Sequence, residues 1–178
     1  MPDATTHDRI TLISGIALAP LVYGGLTVVA ADAAALGTSL FTIAHMVSGV
    51  LFSPDLDIDS AIHRRWGILS WIWRPYMWII PHRHFWSHSL VVAPLLKLIY
   101  FYGVLVGAFL GVSWCLAQLG VVVRDYHVIM TRAIIEGIAG NPHQAGLLIG
   151  GFITGNAAHT IADWASTTGK RLWRRWQR

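Results

Sequence analysis

Histidines and aspartates that recur in short clusters are the residues of this 178-residue chain best suited to chemistry. An acidic run stands at positions 55–59, a histidine-rich segment at 82–88 and a His-x-x-x-Asp pair at 159–163. Imidazoles and carboxylates together are the ligands that zinc, manganese and iron take in proteins. The clusters predict one or two divalent transition-metal ions, zinc first among them. The candidate ligands are His45, Asp55, Asp57, His82, His84, His88, His159 and Asp163.

The spacing within the clusters suggests how they would work. His84 and His88 are four residues apart, as are His159 and Asp163, so each pair would share one face of a helix. Asp163 could instead orient His159 from behind. His45 precedes Asp55 by ten residues, which on a regular helix would place it about 15 Å deeper in the membrane. The remaining histidines are expected to be solvated, namely His7, His63, His127 and His143.

Three residues are candidates for catalysis. Asp57 or Asp163 could act as a general base, taking a proton during hydrolysis. The guanidinium of Arg83 could hold an anionic oxygen of a substrate, or it could only bind lipid headgroups.

The composition predicts an all-α integral membrane protein. Apolar residues make up 54% of the chain and charged residues only 12%, about half the usual share in a soluble domain. The basic residues gather in short segments beside hydrophobic runs, which favours a role in membrane topology over nucleic-acid binding. The chain has a single cysteine, Cys115, so an internal disulfide is excluded.

Four hydrophobic runs predict about four membrane crossings within one embedded domain, 1–178. Each run is near or above the length of about 20 residues that a crossing needs, and 90–123 is long enough for a hairpin hinged near Gly103. A Trp-rich segment, 53–89, is expected at the lipid headgroups between the second and third crossings, and a basic tail covers 164–178. The runs are 10–31, 36–52, 90–123 and 145–162.

The distribution of arginine and lysine favours four crossings with both termini cytoplasmic. In that topology the acidic run, the histidine-rich segment and the His159–Asp163 pair all reach the cytoplasmic interface. A hairpin at Gly103 would separate Asp163 from Asp55 across the membrane. Small residues in the last run, such as Gly151 and Gly155, would allow homo-oligomer formation or close packing within one chain.

Three motifs in this order resemble those of the bacterial inner-membrane family of membrane-bound metal-dependent hydrolases and its related metal-binding membrane protein group. The resemblance covers roughly 52–169. It implies a multi-pass protein of the bacterial inner (plasma) membrane and a ligand set of Asp55, Asp57, His82, His88, His159 and Asp163, with His45 matching a histidine before the acids. Either His82 or His84 fills the position before His88. The motifs are Pro54-Asp55-Leu56-Asp57, His82-Arg83 with His88-Ser89, and His159-x-x-x-Asp163.

The expected function is metal-dependent hydrolysis of an amphiphilic ester or phosphoester at the cytoplasmic interface, with membrane lipids as partners and no nucleic acid. Two alternatives stay open. The first is a non-enzymatic metal carrier or sensor. The second is a protein that binds a haem- or chlorophyll-type cofactor, with His45 and His159 as axial ligands.

Overall fold

A computed structural model describes residues 3–82, 84–121 and 125–176, with side chains of the last helix through residue 168. Helices form all of the regular structure in these ranges. The helices are α1 (Ala4–Val29), α2 (Ala34–Leu51), α3 (Ala61–Arg64), α4 (Arg74–Ile79), α5 (Phe85–His88), α6 (Val92–Gln118), α7 (Tyr126–Gly140) and α8 (Pro142–Trp176). The predicted all-helical class is confirmed for the described residues.

Helix α2 lies between α1 and α8, and glycines allow the close approach of α8. A Cβ added at Gly151 would clash with the carbonyl oxygen of Phe41, and one at Gly155 with that of His45. Without side chains at these two positions, the backbones of α2 and α8 pack directly against each other. The small residues of the last run are therefore used, at least in part, within the chain.

Three helical segments in the described part of the chain are long and apolar enough to cross a membrane, Ala4–Val29, Ala31–Leu51 and Val92–Gln118. The fourth predicted crossing, 145–162, lies within α8, which is not among them. Helix α6 runs through Gly103 without a break, so the hairpin alternative is not what the structure adopts.

Short helical turns fill the Trp-rich segment between α2 and α6. Two 3₁₀ helices, Pro54–Asp57 and Gly67–Trp73, alternate with the one- to two-turn helices α3, α4 and α5. Gly67 begins its 3₁₀ helix with a φ of +54°, a left-handed conformation that glycine adopts without strain. These turns bring the chain back beside the end of α2, so 54–57 and 82–88 become neighbours.

An aromatic core lies beneath these turns. Phe52 meets Trp66, Trp73, Phe101 and Phe152 edge-on, with ring centroids 5.2–5.6 Å apart. Trp73 is fully buried, so it is a core residue and not the interfacial anchor that the sequence suggested. Trp78, by contrast, is 84% exposed. The tryptophans of this segment are thus divided between the core and the surface.

Candidate metal centre

Four elements meet at one end of the long helices. Helix α1 begins there, with Asp3 as its N-cap accepting a hydrogen bond from the Thr6 amide. Helix α2 ends there and passes into Pro54–Asp57, and the chain returns through α5 to the start of α6. Arg65 fixes the start of α1 by a bidentate ion pair with Asp8. Helix α8 passes the same place at its middle, which brings His159 and Asp163 to this end.

His7, His159 and Asp163 form the first of two groups that could hold an ion, with one ligand atom from each within 4.8 Å of the others. His7 Nε2 lies 3.3 Å from Asp163 Oδ1, and His159 Nε2 lies 3.6 Å from Asp163 Oδ2. The two imidazole rings stack with centroids 3.5 Å apart. All three residues are buried.

Asp55, His82 and His88 form the second group, by the same 4.8 Å criterion. The two imidazoles meet edge-on, with centroids 5.3 Å apart. Asp55 also connects the two groups, because its Oδ2 lies 3.5 Å from His159 Nε2. The two groups are therefore neighbouring parts of one site.

Three of the four imidazoles have one ring nitrogen in contact with a polar side chain, as metal-binding histidines usually do, whereas neither nitrogen of His7 has a hydrogen-bond partner among the described residues. His82 Nδ1 donates to Asp57 Oδ1 at 2.7 Å. The Ser87 hydroxyl donates to the carbonyl oxygens of Pro81 and His84, so its oxygen accepts from His88 Nδ1 at 2.9 Å. Ser53 Oγ lies 3.2 Å from His159 Nδ1. The contacts of His82 and His88 leave a lone pair on Nε2 of each ring.

The donor atoms themselves lack partners. Within the described ranges, His88 Nε2, His159 Nε2, Asp55 Oδ1 and both carboxylate oxygens of Asp163 are buried without a hydrogen-bond partner. Leaving so many polar atoms unpaired is costly, and a bound ion is one of the few things that would satisfy them together. The residues present therefore fit a divalent metal ion.

The electrostatic environment keeps two of these donors in the form that binds metal. Burial raises the pKa of Asp55, but the nearby imidazoles of His159, His7 and His82 outweigh this effect and lower the pKa below its ordinary value. Burial also lowers the pKa of His88, against the opposing pull of Asp57. Asp55 is accordingly ionised and His88 neutral near pH 7.

A buried lysine lies beneath the second group. Lys97 of α6 is fully buried, and its ammonium donates to Asn156 Oδ1 at 3.4 Å. Asn156 in turn donates to the Phe52 carbonyl. The Lys97 charge is near enough to His88 to contribute to its lowered pKa. Lys97 thus places a buried amino group beside the carboxylates.

Four residues predicted for the site are not among the grouped donors. His45 is buried with both nitrogens occupied, Nδ1 by Thr154 Oγ1 at 3.0 Å and Nε2 by Ser14 Oγ at 3.0 Å. His84 is exposed. Arg83 lies outside the described residues. Asp57 lies behind His82, and its Oδ2 is 3.9 Å from His88 Nδ1, which places it as an orienting carboxylate.

His7 is the residue that sequence reasoning missed, and its assignment as a solvated histidine was wrong. It is 2% exposed and faces Asp163. His7, Thr11 and Gly15 are the buried residues of α1, spaced by one turn each, and Asp3 caps the helix before them. That cap and spacing were the available clue. His63 is also buried, its Nε2 bonded to the Ser70 carbonyl, whereas His143 is exposed as expected.

A family of metal-binding proteins matches almost the whole chain. The family described as "Uncharacterized metal-binding protein (DUF2227)" covers residues 2–173. No curated protein and no solved structure matches the chain.

Proposed function

The chain belongs to the DUF2227 family of metal-binding proteins, and on that premise we propose that it is a membrane-embedded, metal-dependent hydrolase. One observation carries the proposal. Carboxylates and imidazoles from four separate elements converge with their free atoms buried and unpartnered within the described residues. In a lipid-facing protein, ionisable groups collected in this way mark a functional site.

The residues that would hold the metal are those of the two groups, His7, His159 and Asp163 with Asp55, His82 and His88. A divalent ion bound there would act as a Lewis acid towards a carbonyl or phosphoryl oxygen. Zinc suits the mixed nitrogen and oxygen donors, and manganese or iron would be accepted by the same set.

Asp163 is the better placed of the two candidate general bases. Both of its carboxylate oxygens are without hydrogen-bond partners among the described residues. Oδ1 faces His7 and Oδ2 faces His159, so one oxygen can accept a proton while the other stays beside its imidazole. Asp57 Oδ1 accepts from His82 instead, and the Asp57 side chain is fully buried. Asp57 therefore serves by holding His82 in the orientation that frees its other nitrogen.

The surroundings of the site favour an amphiphilic substrate. Trp78, Ile79, Phe85 and Trp86 flank the histidine-rich segment and are exposed. Together with the apolar surfaces of α1, α2 and α6, these side chains would place the site at the boundary between lipid and water, with the protein spanning the inner membrane of a bacterium and both termini cytoplasmic. An ester or phosphoester linked to a hydrocarbon chain would present its polar bond at that depth.

Hydrolysis of para-nitrophenyl butyrate and para-nitrophenyl phosphate in mixed micelles tests the proposal. Metal-loaded protein should hydrolyse at least one probe, and chelation should abolish the activity. Asp163→Asn should lower the rate about 100-fold or more, as expected for loss of a general base. Asp32→Asn, an exposed carboxylate outside the site, is the matched control and should retain the rate.

The same experiment separates the alternatives. Stoichiometric metal without hydrolysis of either probe would favour a carrier or sensor over an enzyme. A haem-type cofactor would need His45 as a ligand, and the structure disfavours this because both of its ring nitrogens are already bonded.

A further inference from the structure

An apolar cavity of about 480 Å³ lies between α1, α2 and α8. Its lining begins next to the site, at Ala158 and Ala162, which adjoin His159 and Asp163 along the chain. On α1 it runs from Ile10, one turn beyond His7, to Leu18. Eight residues of helix correspond to about 12 Å. The cavity therefore leads away from the donors along the helix axes.

The lining of this cavity offers no free polar group. Ser14, His45 and Thr154 contribute its polar side chains, and they hydrogen-bond one another at 3.0 Å. The Ser14 hydroxyl also donates to the Thr11 carbonyl, and the Thr154 hydroxyl lies 3.0 Å from the Gly151 carbonyl oxygen. An occupant of the cavity thus meets apolar surface and a polar cluster that is already satisfied, which suits a hydrocarbon and not a polar group.

The side chains outside the cavity are equally apolar. Ile13 and Ile16 of α1 are 66% and 63% exposed, and Ile161 of α8 is also exposed. The cavity therefore opens towards hydrocarbon where α1 spans the bilayer.

We infer that this cavity is the subsite for the hydrocarbon chain of the substrate, with the scissile headgroup at His7, His159 and Asp163. The inference rests on the proposed function for its headgroup end. The substrate would then be a lipid with one or more chains. Its scissile polar bond would lie at the head of an alkyl or isoprenoid chain.

Photo-labelling with palmitic acid that carries a diazirine at the chain end tests the assignment. The full-length protein in phosphatidylcholine vesicles is irradiated, and the labelled residues are mapped by mass spectrometry. Labels are expected on cavity residues near Leu18. Leu18→Trp fills the far end and should reduce this labelling about tenfold or more. Ile16→Trp, two residues away and facing outward, is the matched control and should leave it unchanged.

The metal content of the same samples is measured as well, so that failure of the hydrocarbon subsite can be distinguished from failure of the proposed function. One contrary result is labelling that is equal in the Leu18→Trp and Ile16→Trp variants, and another is labelling spread over the outward-facing residues of α1. Either result would show ordinary contact with the bilayer and would overturn the assignment of the subsite. Protein that keeps the cavity labelling but holds no metal would overturn the proposed function and the headgroup assignment with it.

Discussion

The imidazole of His7 stacks on that of His159, with ring centroids 3.5 Å apart and an angle of 13° between the ring planes. Both rings present a nitrogen to the carboxylate of Asp163. Two protonated rings at this separation would repel each other, whereas two neutral rings and one carboxylate form a ligand set for a shared cation. The pairing joins the first helix of the chain to the last.

Replacing His7 tests this pairing. His7→Ala removes one of the three donors of the first group, so we expect metal affinity to fall by about 10–100-fold or more. Competition with a chromophoric chelator measures the change. His143→Ala, which removes an exposed histidine, should bind as tightly as the wild type. Equal affinities for both variants would show that His7 is a structural residue.

Ser53 should matter for metal binding although it is not a ligand. Its hydroxyl lies 3.2 Å from His159 Nδ1 and fixes the orientation of that ring. Ser53→Ala is expected to weaken metal binding about 10-fold, within the usual effect of losing such a contact. Ser39→Ala is the control, because the Ser39 hydroxyl bonds only to the Ala35 carbonyl within its own helix. Isothermal titration with Zn²⁺ would distinguish them, and identical curves would contradict the role assigned to Ser53.

Close packing of α8 on α2 should be essential for the position of His159. A methyl group at Gly155 would clash with the His45 carbonyl, so Gly155→Ala should lower the free energy of unfolding by about 1–3 kcal/mol and weaken metal binding. Gly146→Ala on the same helix meets nothing within 4 Å and should be neutral or stabilising by about 0.5–1 kcal/mol. Thermal unfolding in detergent measures both. A stable Gly155→Ala variant with full metal affinity would contradict the packing.

Lys97 and the metal should act as alternative positive charges for the same carboxylates. Lys97→Met removes the buried ammonium, so the metal-free protein is left with less compensated negative charge. The increase in Tm on adding Zn²⁺ should therefore be larger than in the wild type. Arg132→Met removes an equal charge from an exposed position and should leave the increase unchanged. A smaller increase for Lys97→Met would mean that the lysine supports metal binding.

The sequence predicted which residues converge where their positions at the ends of helices determine this. Antiparallel helices return the chain to the same end of the helical bundle. The residues that meet there are those that directly follow α2, precede α6 or lie on α8. His7 was missed because hydrophobicity indicates where an apolar run begins, at Ile10, whereas the Asp3 cap starts the helix two turns earlier. Where a helix begins decides which residues its first turns present to their neighbours.

His45 shows a different limit. Its spacing from Asp55 indicated only depth along α2. Whether its ring faces the donors or a neighbouring helix depends on the rotation of α2 against α1 and α8, which is set by glycine contacts between helices far apart in sequence. The division of the tryptophans between core and surface depends on tertiary packing in the same way, since the composition of the segment is uniform along its length.

Elemental analysis of the purified protein tests the central claim most directly. Inductively coupled plasma mass spectrometry of the wild type should find a stoichiometric divalent transition metal. His159→Ala and His88→Ala, one from each group of donors, should each retain half of it or less, and His143→Ala should retain all of it. A wild-type protein without stoichiometric metal, or variants at positions 159 and 88 that match the His143→Ala control, would contradict the account.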